Sequence, residues 1–187
     1  MNKERLTAFT DAILAIIMTI LVLELERPEA ANWAAVWAMR NAYLTYAVSF
    51  FWLGAMWVNI HNRWQSVDVI DNKVVWWSII MLFFSSFIPY VTDFVGANFH
   101  SRFAQVMYSI VVLLVSLSNM ALGSRVDRIN PPSEALSFTM NKYVAADLVV
   151  KALGILLAIF VYPPCAIIGI MLAGCIVTFG PLLEAKK

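Results

Sequence analysis

Six long apolar stretches, separated by short polar segments, account for nearly the whole chain. They run from about Leu6 to Leu25, Trp33 to Ile60, Val74 to Val95, Phe103 to Leu122, Tyr143 to Tyr162, and Pro164 to Leu183. Each reaches roughly the 20 mainly apolar residues a helix needs to cross the hydrocarbon of a bilayer. Each therefore predicts a transmembrane helix. The segments between them carry the charges and turn formers: Glu24 to Glu29 with Pro28, His61 to Lys73, Asp93 to Arg102, Gly123 to Lys142, and Tyr162-Pro163-Pro164. The expected fold is an all-α integral membrane protein of six transmembrane helices, a single domain over residues 1–187 with nothing left over for a soluble one. No internal repeat is visible, nor a matched pair of Gly- or Pro-broken helices of the kind that marks many transporter sites.

Composition agrees with the pattern. The chain is 61% hydrophobic and 13% charged, with a mean hydropathy of +0.77, whereas soluble domains run at about 45–50% apolar and about 25% charged. The net charge of +1, from 13 basic and 12 acidic residues, offers no basic stripe for a nucleic-acid backbone, so no nucleic-acid partner is expected. Cys165 and Cys175 lie ten apart in the last apolar stretch, without the spacing of a metal or redox site. They read as small apolar core residues, and the sequence calls for no cofactor and no resident metal. Lys3 and Arg5 before an apolar run imitate a signal peptide, but Glu24, Glu26 and Arg27 stand where a small-residue cleavage site should be.

With six spans, both termini and the second and fourth connections share one side. That side collects Lys3, Arg5, Arg63, Lys73, Arg125, Arg128, Lys142, Lys186 and Lys187, against Arg27 and Arg102 on the other, while Arg40 and Lys151 fall within spans. The positive-inside rule then makes the protein a multi-pass cell-membrane protein with both termini cytoplasmic.

The first helix carries the most information. Only 12 residues separate Asp11 from Glu24, too few to cross the hydrocarbon, so a spanning helix holds Asp11 at membrane depth or near its edge. An intramembrane carboxylate is a functional candidate by default. At 100° per residue, Ile16, Ile20, Leu23 and Thr19 share one face, and Asp11 points roughly opposite Ile16 and Leu23. If the Ile16 face looks into a central space, Asp11 looks into packed protein, where it belongs to a hydrogen-bonded network holding the helix. Arg5 lies about 120° from Asp11 around the axis, so the partner of Asp11 is expected on another helix or subunit.

These residues carry a resemblance. Arg5, Phe9, Thr10 and Asp11, followed by Ala15-Ile16, Thr19, Leu21, Leu23 and Glu24, resemble the first-helix signature of the transmembrane protein 175 family of potassium channels in its single-repeat prokaryotic form. His61-Asn62-Arg63 after the long second stretch is similar to the family's His-x-Arg at the cytoplasmic end of its second helix. The family usually has Ser where Thr10 stands. The resemblance implies a homotetramer around a central pore lined by the first helix, conducting potassium ions, with Ile16, Ile20 and Leu23 as apolar pore and gate rings. It implies that Thr19 is a hydroxyl selectivity layer, and that Arg5, Phe9, Thr10, Asp11 and His61 form a structural and gating network.

A Thr-Val-Gly-Tyr-Gly carbonyl filter is absent from the sequence, so selectivity would come from side chains. A tight apolar ring forces partial dehydration, which costs potassium less than sodium, and discrimination should be modest. Glu24 and Glu26, with Glu29, cluster where the first helix emerges and suggest a cation-concentrating outer vestibule. Asp147 and Lys151 are four apart on the fifth helix and read as a structural charge pair. The competing reading is a secondary transporter or proton-coupled exchanger titrating Asp11, His61 and Asp147. An enzyme is not expected, because His61 and His100 fall near opposite membrane faces with no nucleophile or metal spacing between them.

Overall fold

The computed structural model describes residues 2–130 and 142–184, and among these all regular structure is helical. In chain order the helices are α1 (Lys3–Leu23), α2 (Trp33–Ala38), α3 (Arg40–Trp64), α4 (Asn72–Ser85), α5 (Ile88–Ala97), α6 (Arg102–Ile129), α7 (Lys142–Phe160) and α8 (Cys165–Glu184). Five spans are long and apolar enough to cross a membrane, with α4 and α5 together forming the third; α8 is apolar over Cys165–Thr178.

Two apolar stretches are broken where hydropathy alone predicts continuity. The third divides at Ser86 and Phe87 because Pro89 follows: proline brings no amide hydrogen, and its ring clashes with the carbonyl four residues back. Phe87 N falls back to the carbonyl of Phe84 three residues earlier, while Ser85 and Ser86 donate their hydroxyls to Met81 and Phe83 carbonyls at 2.8 and 2.7 Å. Serine bonds of this kind help a helix bend. The second stretch divides at Met39. Asn32 caps the short α2 through Ala35 N at 2.9 Å, and Arg40, which hydropathy puts inside the span, instead begins α3. At the other extreme α6 runs on to Ile129, well beyond the apolar limit near Leu122, and most of the Gly123–Lys142 connection lies outside the described residues.

The core lies between α1, α3, the α4–α5 pair and α6, filled by Leu14, Leu53, Ile60, Met81, Val91, Val112 and Val115. Without water to satisfy polar groups at membrane depth, hydroxyls between helices must find each other. Ser49 of α3 does so, bonding Thr92 of α5 at 2.7 Å and Tyr108 of α6 at 2.8 Å, all three buried. The α7–α8 hairpin packs against α3 and α6. Its two helices touch through Gly154 and Gly169, where a Cβ on Gly169 would sit 3.0 Å from Gly154 Cα. Of the two thiols, Cys165 is partly buried and Cys175 is exposed, so the expectation that both are core residues does not hold for Cys175.

The connection between α3 and α4 is tied down from α6. Asn130 Oδ1 accepts from Asp68 N at 3.0 Å and Val69 N at 2.8 Å, and its amide donates to Val69 O at 2.9 Å. Asp71 caps α4 by accepting from Val74 N at 2.9 Å and pairs with Arg125 through Nε at 2.9 Å. The Arg125 bond first, and the Val74 amide second, hold the Asp71 carboxyl below the usual carboxylate range. A lowered folded-state pKa contributes stability that is complete above the unfolded value and is lost as pH falls through the folded one. Asp71→Asn is therefore expected to melt below the wild type at neutral pH in detergent. The gap should narrow as pH is lowered through the carboxylate range, and thermal scans at several pH values check it.

Candidate functional site

Helix α1 begins where Asn2 accepts from Arg5 N at 3.1 Å and ends at Glu24, the C-cap. Leu6, Thr10, Leu14, Ile17 and Leu21 are buried against α3, α4 and α5. Intervals of three and four place these five on one face. The opposite face is open along the whole helix. It shows Arg5, Ala8, Phe9, Ala12, Ala15, Ile16, Thr19 and Leu23, with Ile16 57% and Leu23 78% exposed, whereas Ile17 is 3% exposed. Ile20 lies half-buried on the flank. Ile16, Thr19 and Leu23 thus stand together on a surface that this subunit leaves uncovered, and its three alanines let another backbone approach closely.

Thr19 donates its hydroxyl to the Ile16 carbonyl at 2.7 Å. The hydroxyl hydrogen is committed to the helix, and what remains to face outward is acceptor oxygen. Thr10 donates to Leu6 O at 2.9 Å from a buried position, so its hydroxyl serves its own helix and its methyl group packs.

Asp11 sits half-buried on the flank of α1 and accepts a hydrogen bond from Trp57 Nε1 of α3 at 2.8 Å. The Trp57 ring lies over His61 with centroids 5.3 Å apart and planes at 30°. Buried His61 Nδ1 has no hydrogen-bond partner among the described residues. Trp57 therefore joins Asp11 to His61. Within this subunit Arg5 and Phe9 do not touch them: both are exposed on the Ile16 side of α1, and the described residues of the same subunit offer Arg5 no ion pair. Sequence reasoning missed Trp57. Its signal was the spacing Trp57-x-x-x-His61, which stacks two rings on one helix face.

At the other end of α1, Glu24 and Glu26 are exposed, and Asp93 of α5 joins them. Asp93 and Glu24 line a cavity of about 10 Å³ with Leu21, Thr45 and Thr92, room for about one water. Asp93 also shares a groove with Glu26 beside Gly96. Glu29 is exposed in the loop beyond. Asp93 was hidden because hydropathy put it at the end of a span rather than beside a loop distant in sequence. Among the described residues no three His, Cys, Asp or Glu side chains converge as metal ligands do.

A family model described as the endosomal/lysosomal potassium channel TMEM175 matches residues 5–89, from Arg5 to the proline that breaks the third span. The chain is 31% identical over 171 residues to a potassium channel of a Chryseobacterium species, covering 89% of this chain and 88% of that one. It is 30% identical over 131 residues to a potassium channel of Streptomyces collinus, covering 65% and 64%. The crystal structure of a lysosomal potassium-selective channel TMEM175 homolog from Chamaesiphon minutus has the same fold, with a TM-score of 0.74 over 98% of this chain and 96% of that one at 21% identity.

Proposed function

The chain belongs to the TMEM175 family of potassium channels, and from that premise we propose that four copies surround a pore lined by the open face of α1. The function is potassium conduction through a membrane. The observation that carries the arrangement is the contrast between neighbours in sequence: Ile16 is open and Ile17 buried. Ile16, Ile20 and Leu23 would form successive apolar rings, with Thr19 between them. Six spans would set both termini on the cytoplasmic side of the cell membrane, the side favoured by the basic residues.

An apolar ring supplies nothing to replace ion hydration, so it closes by dewetting. When it opens enough for a partly dehydrated ion, it favours potassium over sodium because potassium yields its shell more readily. The Thr19 oxygens, their hydrogens committed to the Ile16 carbonyls, present only lone pairs to a passing cation. This suits a modestly selective filter made of side chains. Asp11 and Trp57 brace α1 against α3 behind the pore, with His61 stacked on Trp57 along α3. A carboxylate spent on that brace is a poor candidate for a transport ion site, which weighs against the transporter reading.

Ile16→Asn should keep the constriction wet, because amides donate and accept hydrogen bonds. Potassium leak into liposomes should rise at least about tenfold, equivalent to ~1.4 kcal/mol off the barrier, and potassium-over-sodium discrimination should fall toward unity. Ile17→Asn, on the buried face, should cost expression or assembly instead. Leak from Ile17→Asn alone would mean that α1 is rotated relative to this assignment.

Glu24 and Glu26 would concentrate cations at the outer mouth, with Asp93 beside them. Replacing both glutamates by glutamine is expected to lower flux at low ionic strength and to matter little near 1 M salt, where the Debye length is about 3 Å. An equal loss at both salt levels would count against the vestibule.

A further inference from the structure

Away from the α1 face, a cavity of about 80 Å³ lies inside the subunit between α3, α6, α7 and α8. It has room for several waters; its wall holds a buried charge pair, and Arg63 of α3 also lines it. Lys151 Nζ of α7 donates to Asp147 Oδ2 at 2.7 Å and to Ser116 Oγ of α6 at 2.8 Å. The same nitrogen stands 5.3 Å from the centre of the Trp52 ring of α3, within the range of a cation–π contact. Lys151 is 3% exposed. Asn119, on the same wall, buries an amide oxygen that has no hydrogen-bond partner among the described residues.

One carboxylate, one hydroxyl and one indole face, converging on a single nitrogen, are the parts of a site for a small monovalent cation. Three helices contribute them, so the arrangement exceeds an ordinary pair on one helix. We propose that the cage of Asp147, Ser116 and Trp52 on the wall of this cavity is an ammonium-class cation site, formed within each subunit and filled by the chain's own Lys151. Tethering keeps its occupant in place against free cations, because an intramolecular partner acts at a high effective concentration. The consequence for an ion-conducting protein is specific. A hydrated pocket holding an unneutralised Asp147 would draw permeant cations into the subunit interior, and Lys151 forecloses that. The site stands apart from α1 and does not depend on which face of α1 lines the pore.

Removing the tethered ammonium should therefore create a binding site for a free one. Purified Lys151→Met is expected to melt below the wild type in choline chloride and to regain several degrees in ammonium chloride. Methylammonium and potassium should restore less, and tetramethylammonium, which has no N–H to donate to Asp147 and Ser116, least. The wild type should show none of these differences, nor should Asp147→Asn/Lys151→Met, which lacks the carboxylate. Extraction is run in parallel in ammonium and choline buffers, so that a variant unable to fold without its cation is still read. Recovery only in ammonium supports the site, and failure in both overturns it. Stabilisation by ammonium that is equal in the single and double variants, or absent from Lys151→Met, would also overturn it.

Discussion

Packing fixes the rotation of α1 about its own axis, and in the proposed channel that rotation decides what the pore presents to an ion. Leu6, Leu14, Ile17 and Leu21 are almost completely buried against α3, α4 and α5, and the Trp57 bond to Asp11 adds a directional restraint at one end. Turning α1 by one residue, about 100°, would expose part of that face and break that hydrogen bond. The open face is therefore set by what the subunit does with the opposite one. Arg5, Phe9, Ile16 and Leu23 are left over together because their neighbours are committed.

The same economy governs the other polar groups. Ser49, Thr92 and Tyr108 satisfy each other between three helices. Many of the remaining buried hydroxyls, Thr10, Ser78, Ser85 and Ser109 among them, return to a carbonyl of their own helix. Charged groups are paired at depth, as with Lys151 and Asp147, or kept at the helix ends, as with Asp71 and Arg125. Potassium conduction needs a path where cations are not trapped by strong charges. Keeping carboxylates off the open face of α1 until Glu24 is consistent with that need.

Much of this was legible in the sequence because a bilayer imposes long apolar runs and a helix imposes its 3.6-residue period. The helices and the common face of Ile16, Thr19 and Leu23 follow from those two periodicities, and the first-helix residues carry the family resemblance. What was not legible depends on residues remote in sequence or on a local rule that hydropathy overrides. Pro89 was plainly visible, yet the apolar run through Phe83 to Val95 masked the break it causes. Trp57 became the partner of Asp11 only once α1 and α3 were packed, and Asp93 met Glu24 only across α1 and α5. The pairing of Lys151 with Asp147 could be read from their spacing, but Ser116 and Trp52, which complete the cage, could not.

The claim that the open face of α1 lines the conduction path is tested most directly by chemical access during flux. In a background with Cys165 and Cys175 replaced by alanine, a cysteine at Thr19 or Leu23 should react with a small cationic thiol reagent and block potassium flux in liposomes. A cysteine at Ile17 should stay unmodified and leave flux unchanged. Block through Ile17→Cys, with Thr19→Cys and Leu23→Cys both insensitive, would contradict the account.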